Sequence, residues 1–152
     1  MPKGPWLILE IVAFCIFVFI PVVILANYSG LPAKVPTHFN LAGTPDAFGD
    51  KSTLILLLIL SVSIYALLTA VPFNPSLINV PGPRTPENIA SAISLTRFVK
   101  VEVVTFKAFL VWRIIETAYG RANGLGPAPL LFVASILVTA GVGLYKSSRH
   151  AQ

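Results

Sequence analysis

The chain alternates long apolar runs with short polar stretches. Four runs are long enough for membrane-spanning helices, because a helix rises 1.5 Å per residue and about 20 apolar residues cross the roughly 30 Å hydrocarbon core of a bilayer. The predicted spans cover about residues 5–27, 53–71, 101–119 and 127–145. The pattern therefore predicts an all-α integral membrane protein, a four-transmembrane-helix bundle that forms a single membrane domain over residues 1–152.

Two of the predicted connections are longer than a simple turn. Residues 28–52 join the first two spans, and residues 72–100 join the second and third. The second connection starts with several prolines and ends in the start of a long third helix. Thr85-Pro86-Glu87 marks that start, because threonine can cap a helix, proline suits its first position and an acid favours its first turn. The third helix is therefore expected to begin outside the membrane.

Composition agrees with a membrane protein. Hydrophobic residues make up 55% of the chain and charged residues 11%, against about 25% charged residues in soluble domains, and the mean hydropathy is +0.81. The net charge of +5 is spread along the chain. This spread suits contact with anionic lipid head groups and argues against nucleic acid as a partner. The single Cys15 lies in an apolar run and has no cysteine partner in the chain.

The basic residues predict the orientation of the chain. Six of them fall on one side of the predicted spans and three on the other, and the side with more Lys and Arg is usually cytoplasmic. The six are Lys3, Arg84, Arg97, Lys100, Lys146 and Arg149, and the three are Lys34, Lys51 and Arg121. A multi-pass protein of the cell membrane is thus predicted, with both termini cytoplasmic and residues 28–52 forming an ordered extracytoplasmic loop.

The stretch Val35 to Lys51 concentrates polar residues between the first two spans. Pro36 and Pro45 restrict its backbone, and glycines permit tight turns, so it can fold into a compact cap with fixed side-chain directions. The candidate ligand-binding or structural residues are His38, Asn40, Gly43, Asp46, Asp50 and Lys51.

The chemistry of this loop has three interpretations. One histidine and two carboxylates do not have the spacing of a zinc site, so no metal and no other cofactor is predicted. His38 with Asp46 or Asp50 could act as an acid/base pair, although no nucleophile motif accompanies them. Alternatively Asp50 caps the second helix and the other residues satisfy exposed backbone, which makes the loop a structural lid.

A second set of candidates consists of charged residues inside the predicted spans, where each charge is costly and is often functional. The set is Glu10, Glu102, Lys107, Arg113 and Glu116. At 100° per residue Glu102, Arg113 and Glu116 share one side of the third helix, and Arg113 and Glu116 are close enough in sequence to pair. Glu10 in the first span and Lys107 in the third lie at about the same depth from the same membrane surface, so the two are predicted to pair. The alternative is that these side chains reach the head groups at the two membrane surfaces.

Two motifs resemble a known family. They are Pro36, His38-Phe39-Asn40, Gly43, Asp46 and Lys51 after the first span, and Ile78-Asn79-Val80-Pro81-Gly82 after the second. Over about residues 32–120 the chain resembles the bacterial and archaeal membrane domain of unknown function shared with the immunity protein against the sporulation-delaying killing-factor toxin. The resemblance implies a helical membrane domain with its loop outside the cell. The best-known relative protects its producer from a secreted peptide toxin and holds a repressor at the membrane; it has six spans rather than four.

The sequence thus predicts a membrane protein that binds a peptide, a lipid or a protein partner at the outer face, through the loop and the polar side of the third helix. Two other function classes remain open. One is a membrane-embedded enzyme, with or without a metal ion, built from His38, Asp46, Glu102 and Glu116. The other is a small transporter formed by a homo-oligomer. Membrane lipids are expected to surround the chain in each case.

Overall fold

The fold was obtained as a computed structural model, and it describes residues 5–78, 80 and 83–149. Lys3 and His150, and Asn79, Pro81 and Gly82 of the second motif, lie outside the described residues. Four long helices account for most of the chain. They are α1 (Pro5–Asn27), α2 (Thr53–Ala70), α3 (Pro86–Ala118) and α4 (Ala128–Arg149). Short 3₁₀ turns at Val71–Phe73 and Pro75–Leu77 follow α2.

The segment between α1 and α2 corrects the all-α prediction, because it forms two strands. Strand β1 (Lys34–Phe39) pairs antiparallel with β2 (Pro45–Asp50), and the register shifts near His38. The prolines of this segment suggested an irregular loop. Both are compatible with the strands, since Pro45 is the first residue of β2, a position that a strand tolerates, and Pro36 lies beside the irregular part of the pairing.

Helix α3 is the central element of the bundle, since α1, α2, α4 and β1 all pack against it. The core lies where α1, α2 and the C-terminal half of α3 meet, and it also includes the start of the hairpin. Its buried members include Ile20, Ile24, Val35, Leu54, Val111 and Ile115. Helix α4 packs on α3, and Gly143 allows the two to approach closely, because a Cβ there would lie 2.6 Å from the Leu95 side chain.

The start of α3 confirms the expected capping. The Thr85 side chain accepts a hydrogen bond from the Asn88 backbone N–H at 3.2 Å, Pro86 occupies the first helical turn and Glu87 supplies an acid there. This arrangement satisfies one of the free N–H groups at a helix start and suits the positive end of the helix dipole. Helix α3 therefore begins at the position that the sequence predicts, well before its most apolar part.

Two helices of the described part are long and apolar enough to cross a membrane, over Trp6–Asn27 and Thr53–Phe73. Only 17% and 11% of their most apolar windows are buried within the chain. Their large apolar side chains therefore face outward, as in a protein surrounded by lipid. The apolar part of α4, Ala128–Gly143, is shorter.

Candidate functional site

The hairpin of β1 and β2, residues 34–50, is fixed to the helices at its base. Val35 and Pro36 are buried, and β1 packs against α3. The Lys51 ammonium donates to the backbone carbonyls of Tyr28 at 3.0 Å and Leu31 at 3.3 Å, just after α1 ends. Lys51 therefore joins the end of the hairpin to the turn that follows α1.

The tip of the hairpin is fixed as well. The Asn40 side-chain oxygen accepts the backbone N–H groups of Ala42 and Thr44, both at 3.0 Å, which shapes the turn. Gly43 follows with a φ of +76°, and a Cβ there would lie 2.3 Å from the Gly126 carbonyl oxygen. Only glycine fits this position, because both the backbone conformation and the close approach exclude a side chain.

The tip contacts the turn between α3 and α4. The Leu125 N–H donates to the Gly43 carbonyl at 2.7 Å. The Gly124 carbonyl in the same turn accepts from the Arg113 guanidinium, through Nε at 2.7 Å and also through Nη2. A charged group of α3 thus orients the turn against which the hairpin tip rests.

The predicted direct ion pair between Arg113 and Glu116 does not form among the described residues. Glu116 instead pairs with Arg121, whose Nε and Nη2 lie 2.9 and 2.6 Å from its two carboxylate oxygens. The hydrogen bond to Glu116 raises the pKa of Arg121 above its usual value. The reason for the error is the turn after α3, which returns Arg121 toward Glu116 and presents the Gly124 carbonyl to Arg113.

His38 and Asp46 face each other across the hairpin. The His38 Nδ1 lies 2.5 Å from the Asp46 Oδ1, and 69% of the His38 side chain is exposed. Asp50 is not part of this pair, because its carboxylate accepts the Ser52 N–H at 2.8 Å at the start of α2. That hydrogen bond lowers the pKa of Asp50. The described residues contain no cluster of three or more His, Cys, Asp or Glu side chains that could hold a metal ion.

The partner of Glu10 differs from the predicted one. The Lys100 ammonium donates to Glu10 Oε2, and Arg97 Nε lies 3.5 Å from Oε1, beyond good hydrogen-bond geometry but within ion-pair range. Lys100 is only 1% exposed and also lies 3.4 Å from the Thr69 hydroxyl of α2. The predicted Glu10–Lys107 pair is therefore wrong. Helix α3 lies further along its axis than the prediction assumed, which brings Lys100 to the level of Glu10.

Glu102 contacts α4, a partner that the sequence did not suggest. Its Oε1 accepts hydrogen bonds from the Ser135 hydroxyl at 2.5 Å and the Thr139 hydroxyl at 2.9 Å. Its Oε2 is buried and has no hydrogen-bond partner in the part of the chain that the structure describes. The sequence contained one indication of this contact. Ser135 and Thr139 are four residues apart, and residues four apart lie on one face of a helix.

The predicted residues therefore fall into separate places. Glu102 and Glu116 are fourteen residues apart on α3, about 21 Å along the helix axis. His38 and Asp46 lie on the hairpin, and no hydrogen bond or ion pair of the described residues joins them to either glutamate. The enzyme constellation proposed from the sequence is thus not assembled as one site. The structure instead presents a fixed hairpin and two carboxylates in different surroundings.

Comparison with known proteins finds similarity over part of the chain. A domain of unknown function (DUF1648) matches residues 15–62. An uncharacterised protein of Archaeoglobus fulgidus is 36% identical over 66 residues, which cover 38% of this chain and 36% of the relative. The chain thus spans about a third of that relative's length. No solved structure matches. The stretch from the middle of α1 through the hairpin into α2 is therefore similar to the DUF1648 domain.

Proposed function

We propose that this protein is a four-span membrane protein with cytoplasmic termini, and that its hairpin binds an extended peptide at the outer face. The observation that carries the proposal is the contrast within the hairpin. Its base and tip are fixed by Lys51 and Gly43, while β2 leaves most of its surface exposed. A binding element that is already held in shape loses little conformational entropy when a partner binds.

The free edge of β2 suits the backbone of a peptide. No third strand pairs with the hairpin among the described residues. In an antiparallel pair, alternate residues of each strand direct their N–H and C=O groups away from the partner strand. An extended segment can therefore add to β2 as a third strand, the mode in which main-chain hydrogen bonds supply affinity and side chains supply specificity.

Side chains next to this edge offer the contacts for specificity. Phe48 on β2 is 59% exposed, and Leu41 at the tip is 93% exposed. The His38–Asp46 pair adds an exposed polar group on the same hairpin. An aromatic residue beside a polar pair is a common composition for the centre and rim of a binding surface.

The family resemblance favours a secreted peptide as the first ligand class to test. The relative that gives the resemblance its name protects its producer from a peptide toxin outside the cell. In the proposed orientation the hairpin of this chain faces the same compartment. Retention of a repressor is not part of the proposal, since no residue described above supports it.

The orientation is tested by cysteine labelling of intact cells. Cys15, the single native cysteine, is first replaced by serine. Cysteine is then introduced at Ala42 in the hairpin tip or at Ser76 between α2 and α3. A membrane-impermeant maleimide is expected to label Ala42→Cys in intact cells and Ser76→Cys only after lysis. The reverse pattern would show that the hairpin faces the cytoplasm.

Binding is tested by selecting extended peptides from a random library on the purified full chain. The selected peptides are expected to lose at least tenfold in affinity with Phe48→Ala or His38→Ala, and to keep it with Leu137→Ala, an exposed apolar position on α4. An added strand would direct every second backbone N–H of the peptide toward β2. Methylation of those nitrogens should abolish binding, whereas methylation of the nitrogens between them should not. Selected peptides that bind equally well to all variants, or tolerate both methylation patterns, would refute strand addition.

A further inference from the structure

We propose that Glu102, Ser135 and Thr139 form a binding site for an alkali cation between α3 and α4. Both hydroxyls donate to Oε1 of the carboxylate, at 2.5 and 2.9 Å. Together the three side chains bring two carboxylate oxygens and two hydroxyl oxygens to one place. Such hard oxygens are the ligands that alkali and alkaline-earth cations prefer.

The charge of Glu102 is the first reason for a cation. No basic side chain of the described residues lies within ion-pair distance of it, in contrast to Glu10, which has Lys100 and Arg97. A carboxylate that leaves water without an opposite charge is strongly disfavoured. A bound cation supplies the missing charge, and one carboxylate balances one positive charge.

The geometry of the two oxygens is the second reason. Both hydroxyl hydrogens are directed at Oε1, whereas Oε2 is buried and has no hydrogen-bond partner among the described residues. Buried polar atoms in folded proteins nearly always have a partner, so Oε2 is the oxygen of this set that can still contact a ligand. The set holds a single carboxylate, which balances one positive charge, so a monovalent cation fits it better than a divalent one.

A groove gives access to the site. A cavity of about 670 Å³ lies between the start of α1, the first half of α3 and the second half of α4. Trp6, Ser91, Ser94 and Phe98 line it, and so does Thr139, whose hydroxyl donates to Glu102. The groove thus leads from the end of the bundle that holds the start of α1 to the edge of the proposed site.

The inference rests on the proposed four-span arrangement in one respect only, namely that α3 and α4 lie in a lipid environment that water does not freely enter. The cysteine labelling described above tests the arrangement separately. Peptide binding at the hairpin and cation binding at Glu102 use different residues, so either can fail while the other succeeds.

The test measures thermal unfolding of the purified full chain in detergent by the fluorescence of Trp6 and Trp112. NaCl, KCl or LiCl replaces N-methyl-D-glucamine chloride at constant ionic strength. A ligand that binds only the folded state raises the unfolding temperature in a saturable way. We expect such a rise with at least one alkali cation for the native chain, and none for Glu102→Gln.

Glu116→Gln is the matched control, because it removes a carboxylate from the same helix at a place where Arg121 is its partner. This variant should keep the cation-dependent rise. Ser135→Ala and Thr139→Val leave the carboxylate intact and should each weaken cation affinity by about tenfold, since a hydroxyl that contacts a charged group contributes about 1.5 kcal/mol or more. If Glu102→Gln does not fold, these two variants still test the proposal.

Three results would overturn the proposal. One is an unfolding temperature of the native chain that does not respond to any alkali cation. Another is a response in Glu102→Gln equal to that in Glu116→Gln. The third is an infrared band of a protonated carboxyl, lost in Glu102→Gln, that persists at saturating salt, because the carboxylate is then neutralised by a proton.

Discussion

Glu10 and Glu102 are two carboxylates at nearly the same level of the bundle, yet their surroundings differ completely. Glu10 contacts Lys100, which precedes Glu102 by two residues on α3, about 3 Å of helix rise. Among the described residues Glu10 has two cationic neighbours, whereas Glu102 has only hydroxyl donors. Glu10 is therefore part of an ion pair within the protein, and Glu102 has no counter-charge in the described part of the chain.

The difference teaches that residue type and position along the bundle do not decide the role of a charged side chain. A carboxylate with a buried lysine as its partner links two helices, and removing either side leaves an unpaired charge. A carboxylate that receives only neutral donors stays available to a ligand that brings its own charge. Each of the following variants challenges or refines this distinction.

The largest effect is expected for Glu10→Gln. It leaves the Lys100 ammonium, which is 1% exposed, without its carboxylate, and breaking a buried pair costs about 3–5 kcal/mol. The free energy of unfolding in mixed detergent micelles measures this loss. Adding Lys100→Met to the same chain should recover at least half of it. A change below about 1 kcal/mol for Glu10→Gln alone would show that the pair behaves as an exposed one.

The next largest effect is expected when Ser135→Ala and Thr139→Val are combined. The Glu102 carboxylate then keeps its charge but loses both donors, and an unsatisfied buried polar group costs about 1–3 kcal/mol. Unfolding under the same conditions without alkali salts isolates this contribution. Equal stability of the double variant and the native chain would mean that the two hydroxyls do not hold Glu102.

A smaller effect is expected for Glu102→Gln in the absence of alkali cations. The amide oxygen can still accept from both hydroxyls, and no internal cation loses a partner, so any loss of stability should be about 1 kcal/mol or less. Removal of the uncompensated charge favours a gain. This variant gives the sharpest contrast with Glu10→Gln, because the same chemical change is made at the two carboxylates under comparison. Similar losses for both variants would remove the distinction between the two carboxylates.

The smallest effect is expected for Lys107→Met. Lys107 is half-buried and forms no ion pair or hydrogen bond with the described residues, so its replacement should change stability by about 0.5 kcal/mol or less. Destabilisation as large as that of Glu10→Gln would instead support the Glu10–Lys107 pair suggested by the sequence.

Much of the helical framework could be predicted from the sequence. The runs that form α1 and α2 are apolar with few interruptions, so length alone indicates them. Thr85 and Pro86 marked the start of α3 because capping depends on residues that are adjacent in sequence. The strands were missed although Val35, Thr37 and Phe39 favour a strand, because two prolines in a short segment indicated a loop.

The partners of the charged residues could not be predicted in the same way. Pairing between helices depends on how far one slides along the other, and a shift of one residue turns a side chain by about 100°. Lys100 rather than Lys107 meets Glu10 for this reason. Arg113 and Glu116 failed as a pair because their actual partners, Gly124 and Arg121, belong to a turn whose path the sequence does not specify.

The bond between the Leu125 N–H and the Gly43 carbonyl also has a consequence for the order of events during biosynthesis. The hairpin tip is made early, but its partner follows about eighty residues later in the chain, after all of α3. Because synthesis runs from the N-terminus, the tip has no partner until the ribosome has passed residue 125. Closure of the hairpin tip onto this turn is therefore a late step, and it marks a chain whose third helix is already in place.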